Sequence, residues 1–128
     1  MHRMLVISNT VELVRLHTAD IVSIEADGNY SVLHIVGDEK RTVIVQLGQL
    51  ERMMGEQLAE EAVNFIRIGR GLIVNKNYIY YINLNLQHIV MRDGLGHRYP
   101  PMHASLESLK KLKELVEGDS GKEDMENG

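Results

Sequence analysis

The sequence predicts a mainly β domain, an elongated stack of antiparallel sheets with two helices. Three observations carry this. Short β-branched and aromatic runs recur through roughly the first hundred residues. Several of them are apolar on both faces, which suits a strand covered from two sides and not one with a wet face. Turn-forming clusters separate them: Asp27-Gly28-Asn29, Gly37-Asp38-Glu39-Lys40 and Asp93-Gly94.

Taken in order, the N-terminal Met1-His2-Arg3-Met4-Leu5 runs directly into a strand-like pattern. It offers no small-residue cleavage site, so no secretory signal is expected and the location is expected to be cytoplasmic. Tyr30, Val32, His34 and Val36 alternate with Ser31, Leu33 and Ile35 as strand residues should. Val43 and Val45 alternate with Thr42 and Gln46, although Ile44 breaks the polar face. Leu47, Leu50, Met54 and Leu58 then share one helical face, which predicts a short helix near 47–58. Leu72-Ile73-Val74, Tyr78–Ile82 and His88–Met91 are further strands, the last feeding a hairpin at Asp93-Gly94. Leu106, Leu109, Leu112 and Val116 form a second helical stripe near 104–117, with Ser105 as N-cap and Gly118 as stop. One domain is therefore expected over 1–117, followed by an acidic, disordered tail at 118–128.

Composition narrows the function. A chain of 128 residues suits one core. The absence of cysteine excludes a disulfide scaffold, a thiolate zinc site and a cysteine nucleophile. No apolar run approaches the ~18 residues of a membrane span, so no membrane partner is expected. The net charge of −4 hides a strong asymmetry. Residues 1–63 carry net −5, residues 64–113 net +6 and residues 114–128 net −5. A domain that is acidic overall can still present a basic face to an anion.

No catalytic or cofactor pattern emerges. The six histidines (His2, His17, His34, His88, His97 and His103) include no helical i, i+4 pair and no H-x-H, so no metal site is expected. Gly69-Arg70-Gly71 and Gly94-Leu95-Gly96 are each G-x-G without the rest of a phosphate-loop motif, and both lead into strands. There is no G-x-S-x-G. Asp38-Glu39 and Glu60-Glu61 read as solvated turn and helix-end charges. The chain is expected to be neither an enzyme nor a cofactor carrier.

One constellation remains: Phe65-Ile-Arg67-Ile-Gly69-Arg70-Gly71-Leu-Ile-Val74-Asn75-Lys76-Asn77-Tyr78. Arginine and lysine neutralise phosphates, and arginine and asparagine read base edges. Together with Ile21-Val-Ser-Ile24-Glu25-Ala26-Asp-Gly-Asn29-Tyr30, Leu47-Gly-Gln-Leu50-Glu51 and Ile79, this ordered set resembles the LytTR-type DNA-binding domain, the output module of many bacterial response regulators. The similarity spans about residues 4–117. It departs from the family pattern at Gly69, where histidine is usual, at Gly71, where serine is usual, and at Met102-His103, where the family often has a base-reading arginine.

The resemblance implies stacked antiparallel sheets whose loops enter successive major grooves of double-stranded DNA. Proteins of this kind act as homodimers or paired monomers on direct repeats. It places the contacting loops at the Asn29–Ser31 neighbourhood, the Gly69–Gly71 turn and the Met102–Ser105 segment, so Arg70, Asn29, Ser31 and His103 are expected to read bases, Arg70 foremost, with Ser105 beside them, while Arg67 and Lys76 are expected to contact phosphate. Asn29 and Asn75 also have structural readings, as loop-fixing and capping groups, and Arg67 could simply face solvent. The sequence carries no upstream segment for a phosphoacceptor receiver domain, so a stand-alone transcription regulator is the expectation. The alternative is a protein-interaction module with a protein partner, antagonising another regulator of the same type.

Overall fold

The computed structural model describes residues 3–127. Strands β1 (Met4–Ser8) and β2 (Leu13–His17) form a hairpin. Strands β3 (Ile21–Asp27), β4 (Tyr30–Ile35), β5 (Glu39–Val43), β6 (Phe65–Ile68) and β7 (Leu72–Asn75) form a five-stranded antiparallel sheet in the order β5-β4-β3-β7-β6. Helix α1 (Leu47–Gln57) lies between β5 and β6 in sequence. Strands β8 (Ile79–Asn83), β9 (His88–Met91) and β10 (Met102–His103) make a third sheet, ordered β10-β9-β8, and helix α2 starts at Leu106.

The five-stranded sheet is the middle layer because its side chains alternate between two cores. From β7, Ile73 joins Leu5, Ile7, Ile24, Leu33, Leu50 and Leu58 beneath α1 and the β1–β2 hairpin. Its neighbours Leu72 and Val74 point the other way, to Ile89, Met91, Met102, Leu109 and Leu112. Burying one such leucine or isoleucine contributes roughly 1.5–3 kcal/mol. A strand sandwiched in this way needs apolar residues on both faces, as its sequence has.

The third sheet is fastened to the middle one through Asp93. Its carboxylate is buried and accepts from Gly37 N at 2.8 Å, Leu95 N at 2.9 Å and His97 N at 3.0 Å. The Tyr99 hydroxyl lies 2.9 Å from Asp93 Oδ2 and 2.6 Å from the Ile35 carbonyl, and accepts from Asp38 N at 3.2 Å. Burial alone raises the Asp93 pKa, but these donors outweigh it and hold the carboxyl well below the usual carboxylate range. Burial, reinforced by the neighbouring Asp93 charge, pushes the Tyr99 phenol up to about 12.

Two boundaries differ from expectation. Strand β5 ends at Val43, and Val45 instead offers its carbonyl to the Ser31 hydroxyl as the chain bends towards α1. Helix α2 runs Leu106–Asn127, through Gly118 and across most of the stretch expected as a disordered tail. An interior glycine costs a helix only about 1 kcal/mol, and Lys76 Nζ anchors the following Asp119 Oδ2 at 2.9 Å. Residue 128 lies outside the described residues.

Candidate nucleic-acid interface

Two hairpin turns and the start of α2 frame one end of the middle sheet. The β3–β4 turn holds Gly28 and Asn29, and the β6–β7 turn holds Gly69, Arg70 and Gly71. Strand β3 pairs antiparallel with β7, Glu25 opposite Leu72, and Ala26 N donates to Gly71 O at 2.8 Å. Both turns therefore leave the sheet at the same edge. Gly69 has φ +58, a conformation a side chain would strain, which explains why glycine suits this position. Between the second turn and the segment Pro101–Ser105 lies an open groove of about 530 Å³, also lined by Glu25 and Ser108.

Arg70, His103 and Ser105 meet in this groove. Arg70 is exposed at the tip of its turn, and its guanidinium has no partner among the described residues. His103 is exposed and sits beside His88, ring centroids 6.4 Å apart. Ser105 caps α2: its Oγ accepts from Ser108 N at 3.2 Å. The cap fits the sequence expectation, and the helix N-terminus adds partial positive charge to the groove wall.

Arg67 does something else. Its Nε donates to Gly69 O at 3.0 Å, its Nη2 to Arg70 O at 2.9 Å, and its Nη1 to Glu51 Oε1 of α1 at 3.0 Å. All three faces of the guanidinium hold protein, so Arg67 clasps the turn that carries Arg70. Ser31 requires correction as a contact residue. It is fully buried and its hydroxyl donates to Val45 O at 2.6 Å, which leaves nothing for a ligand. Asn29 is exposed at the groove end of the sheet but does not line the groove, and its Oδ1 accepts from Gln46 Nε2 at 3.0 Å. Lys76 follows β7 at the opposite end of the sheet from Arg70, paired with Asp119. Asn75 is buried, with its Nδ2 donating to Ile21 O at 2.9 Å and its Oδ1 capping Asn77 N at 3.0 Å, in keeping with its structural reading.

Sequence reasoning missed Glu25 and Ser108 as groove residues. Glu25 stood in a recognised motif, but only the β3–β7 register shows that it faces Arg70's turn. Its carboxylate lies 3.6 Å from His34 Nε2. Among the described residues no group of three or more histidine, aspartate or glutamate side chains could hold a metal, and no helix is long and apolar enough to cross a membrane.

Along one end this β scaffold offers an arginine-tipped turn, an imidazole and a helix N-terminus, an arrangement chemically able to hold an anion. The LytTr DNA-binding domain matches residues 11–117, so the chain belongs to that non-catalytic family, whose members bind DNA in transcription regulation. The chain is also similar in fold to the LytTr DNA-binding domain of a putative methyl-accepting/DNA response regulator from Bacillus cereus. That match has a TM-score of 0.58 at 19% identity and covers 89% of this chain and 96% of the other. No curated protein matches the chain.

Proposed function

We propose that the chain is a cytoplasmic transcription regulator that binds duplex DNA sequence-specifically, with its groove-edge turns entering the major groove. The observation that carries this reading is Arg70. Among the described residues its guanidinium, at the tip of a clasped turn, has no partner, and a free fork of that kind can bond both acceptors on a guanine edge. His103 and the N-terminus of α2 stand across the groove, suited to a second base or a phosphate.

Selection from a randomised duplex library at near-physiological salt tests it. The expected result is enrichment of a short motif, repeated about one helical turn apart if two copies bind side by side. Absence of any enriched motif would overturn specific recognition and favour the protein-interaction module instead.

A further inference from the structure

Strand β9 alternates along its length. Ile89 and Met91 are buried in the second core, so His88, Val90 and Arg92 face outward. A bulge in β8 between Ile79 and Tyr81 leaves Tyr80 and Tyr81 both exposed. His103 of β10 lies directly across from His88, and the adjacent bond from Ala104 N to Gln87 O makes this a close, non-hydrogen-bonded pair. The outer face of the third sheet is thus a stripe that begins at His103 in the groove and ends at Arg92.

At that far end the charges do not balance. Arg92 and Arg98 form an antiparallel bridge, so two like charges sit directly opposite each other. Both guanidiniums lie over the exposed Tyr80 ring, 5.4 and 4.8 Å from its centroid, and Arg98 Nη2 is 3.2 Å from the Tyr80 hydroxyl. Opposed like charges are destabilising on a sheet, and cation–π contacts at exposed sites return only about 0.5–1 kcal/mol. Among the described residues no carboxylate pairs with either arginine. The sole acidic residue in the stretch 76–106 is the buried Asp93.

We propose that this face is a phosphate track, a sequence-independent anchor for the backbone of the duplex held in the groove, with Arg92 and Arg98 as its clamp and Tyr80 as their platform. The inference rests on the DNA-binding reading above. From His88 to Arg92 the strand spans about 13 Å at ~3.3 Å per residue. A small anion would fill one point of such a stripe, whereas a duplex carries a charge about every 1.7 Å of its axis and meets all of it.

The test is a salt titration of duplex affinity for the wild type, an Arg92→Ala/Arg98→Ala double variant and an Arg92→Lys/Arg98→Lys double variant. All sites are exposed, and a thermal melt checks that the variants fold. Each phosphate contact contributes a slope of about 0.9 in log affinity against log salt. The alanine variant is expected to lose close to two such contacts, equally on preferred and scrambled duplexes, and the lysine variant to recover them. An unchanged slope overturns the track while leaving the groove reading intact. A loss confined to the preferred duplex also overturns it, because the arginines would then be readers. Loss of binding to an acidic peptide with an unchanged DNA slope would assign the clamp to a protein partner and overturn the track too. If the wild type binds no duplex at any salt, both the groove reading and the track fall.

Discussion

The Asp93 junction and the Arg70 groove are both turn-rich and polar, yet they use their polar atoms in opposite ways. At the junction, backbone N–H groups from two loops and a tyrosine hydroxyl converge on one buried carboxylate. In the groove, the Arg70 guanidinium has no partner among the described residues. Saturation inside the protein marks a fastening, because a buried group left unsatisfied costs stability. Donors kept free at a rim mark a surface awaiting an acceptor. Arg67 and Arg70, three residues apart, divide along the same line, one spent on the protein and one held open.

The sharpest way to break this contrast is Asp93→Ala. Removing the carboxylate takes the shared acceptor from three partly buried N–H groups and the buried Tyr99 hydroxyl, and the expected cost is about 1–3 kcal/mol in urea unfolding at neutral pH. A cost below about 1 kcal/mol would show that the junction is not the fastening it resembles. The pH dependence has a definite sign. Asp93 has its folded pKa below the unfolded value of about 3.9, so its contribution is present above that value and is lost as pH falls through the folded pKa. The stability gap between wild type and Asp93→Ala should therefore hold at neutral pH and narrow only in strong acid.

The two arginines give the next test. Arg70→Ala should weaken specific binding by roughly 1–3 kcal/mol and change stability by less than about 0.5 kcal/mol. Arg67→Ala should weaken specific binding by a comparable ~1–2 kcal/mol, through a loosened turn. Lysine separates the mechanisms, since it has charge but no planar fork. Arg67→Lys is expected to behave like Arg67→Ala. Wild-type affinity in that variant would make Arg67 a phosphate contact and not a clasp.

Much of the fold was legible in the sequence because sandwiched strands and an amphipathic helix leave local periodic signatures. Residues 30–35, 72–75 and 47–57 fall close to where those signatures put them. The site was legible in part. Arg70 and His103 could be nominated one by one, but their meeting across the groove depends on the β3–β7 register and on where α2 starts. The opposition of Arg92 and Arg98 is likewise invisible until the hairpin is folded, and Asp93, read as a local turn residue, also binds a loop 56 residues away. Ser31 was misread for a related reason. It was named because the resemblance placed it with Asn29 in a contacting loop, but it falls inside β4, where both faces of the sheet are covered. Ser31→Ala should accordingly cost about 1 kcal/mol of stability and leave the salt dependence of duplex binding untouched. A reduced salt slope in that variant would return Ser31 to the interface.

The smallest effect concerns the acidic end of the chain. Residues 119–128 hold Asp119, Glu123, Asp124 and Glu126 against one lysine, and Asp119 already occupies Lys76. If these carboxylates compete with phosphate for the basic face, removing 119–128 should raise duplex affinity at low salt. The gain should fade towards 1 M, where screening shortens the Debye length to about 3 Å. A half-exposed ion pair contributes only about 0–1 kcal/mol, so a gain of a few-fold is the most that freeing Lys76 can supply. Asp119→Asn separates the two sources. It should reproduce the whole gain if Lys76 is the group that matters, and little of it if the bulk charge of the tail does the screening. Identical salt titrations for the wild type and the truncated chain would remove Lys76 and the tail from the interface altogether.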